Sequence, residues 1–169
     1  EEWPIRSRRS TSWQPFAALV VLAIVVVTAY TTNIQAIQAN MTFKTGEPLS
    51  GDQLPVASVI FKRAIDMAPG EDFYYLYLGR SYMEQSKRVQ DPAEQERLVN
   101  EAVKTLLQAR ALNPLNTDHS SNLARLYSWW AGVANDATTQ QQRGQQSSDY
   151  YATALTLSPN NATLWGEWG

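Results

Sequence analysis

Ala109-Arg110-Ala111-Leu112-Asn113-Pro114 is the stretch that decides the fold, because its pattern occurs twice more in the chain. The other copies are Ala64-Ile65-Asp66-Met67-Ala68-Pro69 and Ala154-Leu155-Thr156-Leu157-Ser158-Pro159. The prolines fall at 69, 114 and 159, an interval of 45 residues both times. A fixed period in this range marks a repeat architecture. In each copy a small alanine and a larger apolar residue share one helical face. The proline then stops the helix, because it drives the residue before it out of the helical region.

At 169 residues the chain has room for one ordinary domain, or one domain plus a membrane anchor. A net charge of −2 and 18% charged residues give no strong field for nucleic acid, so no nucleic-acid partner is expected. There are no cysteines, which excludes disulfides, thiolate metal sites and cysteine nucleophiles but leaves the compartment open. A single histidine leaves little material for a metal site or a histidine relay. No cofactor and no metal are expected. The chain begins Glu1-Glu2 and stops inside a repeat, and so reads as part of a longer product.

No charged residue lies between Arg9 and Lys44, and Phe16 to Ala29 is apolar apart from Thr28. Tyr30, Ile34 and Ile37 extend the run. About 20 such residues cross a bilayer core. A transmembrane helix is expected over residues 13–33, with the lipid bilayer as a partner of that segment. The alternatives are a signal peptide or a very apolar core helix. A tryptophan and proline ahead of the run, and no clean small-residue cleavage site after it, disfavour the signal peptide. Arg6, Arg8 and Arg9 precede the run, and Trp3 and Trp13 lie where headgroups would be. The positive-inside rule then makes 1–12 a cytoplasmic juxtamembrane segment and places the repeats outside, unless upstream spans set the orientation.

After the turn residues Leu49 to Pro55, Val56, Val59, Ile60 and Ala64 form a helical face ending at Pro69-Gly70. A second helix is expected from Asp72 to about Arg88. Asp91-Pro92-Ala93-Glu94 offers an N-cap, a proline at the first helical position and a capping-box glutamate. The helix after it runs to Leu112. Asn116-Thr117-Asp118 caps the next. The glutamine-rich stretch from Asn135 to about Gln146 reads as a loop or as a frayed solvated extension. Tyr150, Tyr151, Ala154, Leu155 and Leu157 belong to the last full helix.

Tyr75, Leu78, Gly79 and Tyr82 spell Tyr-x-x-Leu-Gly-x-x-Tyr, and Trp165-Gly166-Glu167-Trp168-Gly169 restarts that phrase. This resembles the first-helix signature of tetratricopeptide repeats. Ser120, Leu123, Ala124 and Tyr127 make a weaker copy. The matching second-helix positions are Ala57, Phe61 and Ala64, then Ala102, Leu106 and Ala109, then Ser147, Tyr151 and Ala154. The family repeat is about 34 residues, so copies of 45 carry about 11 more. These fall between Tyr82 and Ala102 and between Tyr127 and Ser147, and add about three helical turns. The resemblance implies an all-α solenoid with repeats at 34–70, 71–115 and 116–160 and the start of a fourth at 161–169.

The phrases from Glu71 to Arg80 and from Leu112 to Tyr127 are also similar to the C-terminal repeats of bacterial O-antigen ligase-like membrane proteins. The glycan chemistry of that family belongs to a multi-span region with no counterpart here.

No catalytic residue is expected. His119 follows a helix cap, and the neighbouring carboxylates Asp66, Glu71 and Asp72 flank helix ends, where acids complement the helix dipole. Phe73, Tyr74, Tyr75, Tyr77 and Tyr82 read as inter-helix core in preference to a ligand cage. Trp129 and Trp130 cannot share one helical face. The function implied by the resemblance is a membrane-tethered binding scaffold that receives a peptide segment or another membrane-protein subunit. It would be part of a ligase-like protein or an accessory subunit of a membrane complex. First helices line the receiving face in that family, which makes Tyr75, Arg80, Asn122 and Arg125 the groove candidates.

Overall fold

The structure is a computed structural model and describes residues 13–169. The expectations for Trp3, Arg6, Arg8 and Arg9, and for the segment 1–12 as a whole, fall outside the described residues. The described residues are mostly helical, with no strand among them. The chain divides into two compact units, one reaching to Ile37 and the other Gln38–Gly169.

In the first unit, helix α1 (Gln14–Ala29) starts with proline in its first turn, where no N–H is missed. It buries none of its side chains. The α-helical ladder stops after 16 residues and gives way to a π turn over Tyr30–Ile34. The reason is local. Thr31 Oγ1 donates to the carbonyls of Val27 and Thr28 at 3.0 and 3.2 Å, and Asn33 Nδ2 donates to that of Ala29 at 3.3 Å. Such side-chain donors compete for helix carbonyls, and π turns accommodate the widened ladder.

This corrects the expectation of a transmembrane helix over 13–33. A 16-residue helix is about 24 Å long, against about 30 Å of hydrocarbon. Among the described residues no helix is long and apolar enough to cross a membrane. The bilayer as partner of 13–33, the headgroup role of Trp13 and the extracytoplasmic placement of the repeats all rested on that span and fall with it.

Helix α2 (Gln35–Gly46) runs into the second unit. There the order is a 3-10 turn (Gly51–Gln53), α3 (Leu54–Met67), α4 (Asp72–Ser86), α5 (Pro92–Leu112), α6 (Thr117–Gly132), α7 (Ala137–Leu157) and α8 (Ala162–Trp168). Gly51 adopts φ +61, a conformation that favours glycine, and this lets the chain reverse between α2 and α3. The starts of α5, α6, α7 and α8 are each capped by a short polar side chain. Asp91 accepts from the N–H of Ala93 and Glu94, Asn116 from Asp118, Asp136 from Thr139 and Asn161 from Leu164. The expected capping box is incomplete. The Glu94 carboxylate pairs bidentately with Arg97, at 2.6 and 2.7 Å, instead of turning back to the cap. The Asp136 cap also resolves the glutamine-rich stretch, which is the first half of α7.

The turns between repeats are superimposable in their dihedrals. Ala68, Asn113 and Ser158 lie at φ/ψ −141/77, −139/83 and −137/68. Each donates its N–H back to an alanine carbonyl, of Ala64, Ala109 and Ala154, at 3.0 Å. Proline at the next position has no N–H to donate and cannot continue the helical ladder. Tyr75 Oη then donates to the Pro69 carbonyl at 3.1 Å, and Trp165 Nε1, two periods on, donates to that of Pro159 at 2.9 Å.

The core alternates between the two helices of each hairpin. Ala57, Phe61 and Ala64 of α3, Tyr74, Leu78 and Tyr82 of α4, and Ala102, Leu106 and Ala109 of α5 belong to one buried cluster. A second cluster joins Ala124 of α6 to Tyr151, Ala154 and Leu155 of α7 and Leu164 of α8. Gly79 sets the closest approach between α4 and α5. A Cβ built there would stand 2.6 Å from Leu106 Cγ, and Leu106 is itself fully buried. Gly79→Ala is therefore expected to destabilise by about 1–2 kcal/mol, overpacking outweighing the gain in helix propensity. Urea unfolding checks it, and a more stable variant would show that α5 yields freely.

Candidate binding groove

The extra residues of each repeat lengthen the second helices. Helix α3 has 14 residues, whereas α5 and α7 have 21 each. Between the lengthened parts of α5 and α7, with α6 as floor, lies a groove of about 670 Å³. Its walls are Asn100 and Val103 of α5 and Thr139, Gln142, Arg143, Gln145 and Gln146 of α7, and its floor carries Tyr127 and Trp130. A smaller recess of about 220 Å³ adjoins it, where Glu96 and Asp136 stand near Arg143 and Trp130.

The floor is rigidly built. The Arg143 guanidinium lies 3.7 Å from the Trp130 ring centroid, and its Nη1 donates to the Trp130 carbonyl at 3.0 Å. Burial pulls the Arg143 pKa down, while Glu96 and Asp136 act in the opposite sense. The Tyr127 ring stacks on Tyr150 at 5.7 Å, and Arg110 sits over the far ring of that pair at 5.6 Å. Burial and the Tyr150 neighbour raise the Tyr127 hydroxyl pKa, so it stays a neutral donor. The walls are chemically different. Asn100, Gln142 and Gln146 are exposed amides, and none hydrogen-bonds to another side chain among the described residues; Gln145 donates to Asp149 at 2.8 Å. Each free amide offers both donors and an acceptor.

Sequence reading placed the receiving surface elsewhere, and the structure scatters its residues. Tyr75 is tied to Pro69 and borders a separate cleft beside Lys62, Asp66, Glu101 and Lys104. Arg80 is exposed over the Tyr77 ring at 5.4 Å. Asn122 is buried and donates to the Asp118 carbonyl at 2.8 Å. Arg125 is spent on Glu167 of α8, at 2.8 and 3.1 Å. No one recess collects these four. The tryptophans divide as the helical geometry requires. Trp130 enters the groove, while Lys87 of the preceding hairpin lies 6.0 Å from the Trp129 ring.

His119 is fully buried, which removes it from any groove. Its Nε2 meets the Asp72 carboxylate at 2.5 Å, and Asn116 Nδ2 donates to the same oxygen at 3.3 Å. This joins the first turn of α4 to the first turn of α6. Burial pushes the Asp72 carboxyl pKa up, but hydrogen bonds from His119, Asn116 and Asn113 outweigh it and leave it below the ordinary value. One period later, Thr117 and Ser158 make the corresponding contact through hydroxyls at 3.2 Å. The seam is imperfect. His119 Nδ1 and Ser120 Oγ are buried with no hydrogen-bond partner among the described residues. Ser120 holds the place of Tyr75 and Trp165 but is too short to reach the Pro114 carbonyl. Ser120→Ala is expected to stabilise by roughly 1 kcal/mol, since it deletes an unpaired buried hydroxyl. A matching loss in thermal unfolding would instead reveal a partner for it.

Comparison with protein-family models returned no match, and comparison with curated proteins returned none either.

Proposed function

We propose that this chain is a tetratricopeptide-type scaffold that binds a segment of another protein. The 45-residue period, the repeated turn and the signature at Tyr75, Leu78, Gly79 and Tyr82 support the repeat type. The observation that carries the binding role is the groove between α5 and α7, which is open among the described residues and floored by Tyr127 and Trp130. Helical hairpins that stack only on their neighbours leave such extended surfaces open, and repeat proteins use them for recognition. The phrases similar to O-antigen ligase-like proteins fall on α4 and on the α5–α6 junction, in the stack itself. They bear on parentage and attach no reaction to these helices.

Reconstitution tests the reading. Proteins that co-purify with the full chain are made singly and remixed with it. A scaffold gives a complex of fixed stoichiometry by size exclusion, with amides of the stack protected from hydrogen exchange. If no co-purifying protein forms such a complex, the reading fails.

A further inference from the structure

We propose that the α5–α7 groove holds a binding site for a single carboxylate group, with the Arg143 guanidinium as its counter-ion and the Tyr127 hydroxyl as a second donor. This deepens the scaffold reading by naming the chemistry of its groove, and rests on that reading only in taking the groove to hold another molecule.

Arg143 is a cation without a paired anion. It is half-buried, and burial pulls its pKa down, as happens to a guanidinium whose charge is poorly compensated. Among the described residues it makes no ion pair. Glu96 and Asp136 act on it electrostatically but line only the adjoining recess. Asp136 is committed to the α7 cap, accepting from the Thr139 N–H at 2.8 Å, and Glu96 is exposed on α5. No carboxylate lines the groove itself. The guanidinium is also held ready. Its stack on Trp130 at 3.7 Å and the Nη1 bond to the Trp130 carbonyl fix its plane, and its other N–H groups stay unengaged. A planar fork fixed in advance matches the two oxygens of a carboxylate, and little ordering remains to oppose binding.

The second observation is independent. Tyr127 lines the same groove and is only 8% exposed, yet its hydroxyl makes no hydrogen bond among the described residues. Its pKa is raised, so it remains a neutral O–H in need of an acceptor. Buried polar groups of this kind are normally paired. A carboxylate satisfies both groups at once, because it brings a negative charge and accepts through two oxygens. The nearby charges set the valence. One guanidinium, with Glu96 and Asp136 in the adjoining recess, favours a monoanion over a phosphate dianion. A volume of about 670 Å³ leaves room for the organic body that carries the carboxylate.

The test follows the Arg143 Nε–H and Gln146 side-chain amide resonances of the full chain during titration at constant ionic strength. Two acids represent the two sources of a carboxylate: N-acetylglutamate methylamide for an acidic side chain on a polypeptide, and benzoate for a free organic acid. Their neutral counterparts are N-acetylglutamine methylamide and benzamide, and chloride and inorganic phosphate are the comparison anions. At least one acid is expected to give saturable shifts and to bind about tenfold or more tightly than its amide, the scale of a hydrogen bond to a charged group. Arg143→Gln should abolish saturation at Gln146. Tyr127→Phe, which keeps the ring, should weaken binding by about threefold to tenfold, the scale of one hydrogen bond. Arg80→Ala should change nothing, and helical circular dichroism confirms that the variants fold. Saturation by the glutamate derivative alone assigns the site to a partner's acidic side chain, by benzoate alone to a free acid, and by both to either source; each supports the site. Amides that bind as tightly as the acids, phosphate that binds more tightly, shifts that only match chloride, or a folded Arg143→Gln variant that binds like the parent overturn it. A Tyr127→Phe variant that binds like the parent overturns the role of the hydroxyl. None of these results decides the reconstitution test, so the scaffold reading stands or fails separately.

Discussion

Phe43→Ala is expected to lower the unfolding free energy by about 3–5 kcal/mol, the range for deleting a buried aromatic ring. Phe43 is 1% exposed near the end of α2. Four rings surround it, with centroids at 5.4 Å for Phe61, 5.5 Å for Phe73, 5.1 Å for Tyr74 and 5.0 Å for Tyr77. The Tyr77 contact is edge-on at 84°, a favoured arrangement for aromatic pairs. Removing the ring leaves a hole that α2, α3 and α4 would all have to close. Those helices are held by their own hairpins, so collapse is restricted and the loss belongs at the upper end of the range. Phe43→Leu keeps most of the volume and should cost less than half as much. Urea denaturation of the full chain followed by tyrosine fluorescence measures both. A loss under 1 kcal/mol for the alanine variant would mean that α2 is not anchored through this ring.

Asp72→Ala is expected to cost about 1.5–3 kcal/mol, the scale for hydrogen bonds to a charged group. The side chain of Asp72 is 18% exposed and collects donors from His119 and Asn116. Its deletion leaves the fully buried His119 imidazole with neither nitrogen satisfied. The effect carries a pH signature. The folded-state pKa of Asp72 lies below its ordinary 3.8, so the carboxylate's contribution is complete above that value. It is lost as pH falls through the lower folded-state value. The stability gap between the parent and Asp72→Asn should therefore hold steady from pH 7 to about 5 and close below about 4. A gap that persists unchanged down to pH 3 would show that the seam does not depend on the ionised carboxylate.

These two sites mark how far local reading reached. The helix ends were legible because they are governed by near neighbours. The prolines at 69, 114 and 159, the caps at Asp91 and Asn116 and the small residues at Gly79 and Ala102 act over a few positions, and each does in the structure what its type suggests. The 11-residue lengthening of the later repeats was also visible as a period. What it builds was not. Gln142 and Asn100 lie 42 positions apart, and no pattern in either segment announces that they face across a groove. A glutamine-rich run carries no apolar stripe, so nothing in it separated helix from loop until Asp136 was seen to cap it. The candidates on the first helices show the same limit of local reading. Asn122 and Arg125 look available in sequence, but Asp118 and Glu167 claim them in three dimensions.

The membrane-spanning expectation failed at shorter range. Hydropathy over Phe16 to Ala29 counts transfer energies and ignores backbone continuity. Thr31 and Asn33 end the α-helical ladder by bonding to carbonyls one turn back, which no hydropathy sum records. The sequence by itself determined an all-helical chain with a 45-residue beat, the places where helices start and stop, and which residues are fit for a core. The tertiary structure alone decided where the α-helix of the apolar stretch ends, which polar side chains stay free, and that the free ones line α5 and α7. The division follows from distance. Helix propensity and capping are settled within about four residues, whereas a surface is defined by groups brought together from tens of residues apart.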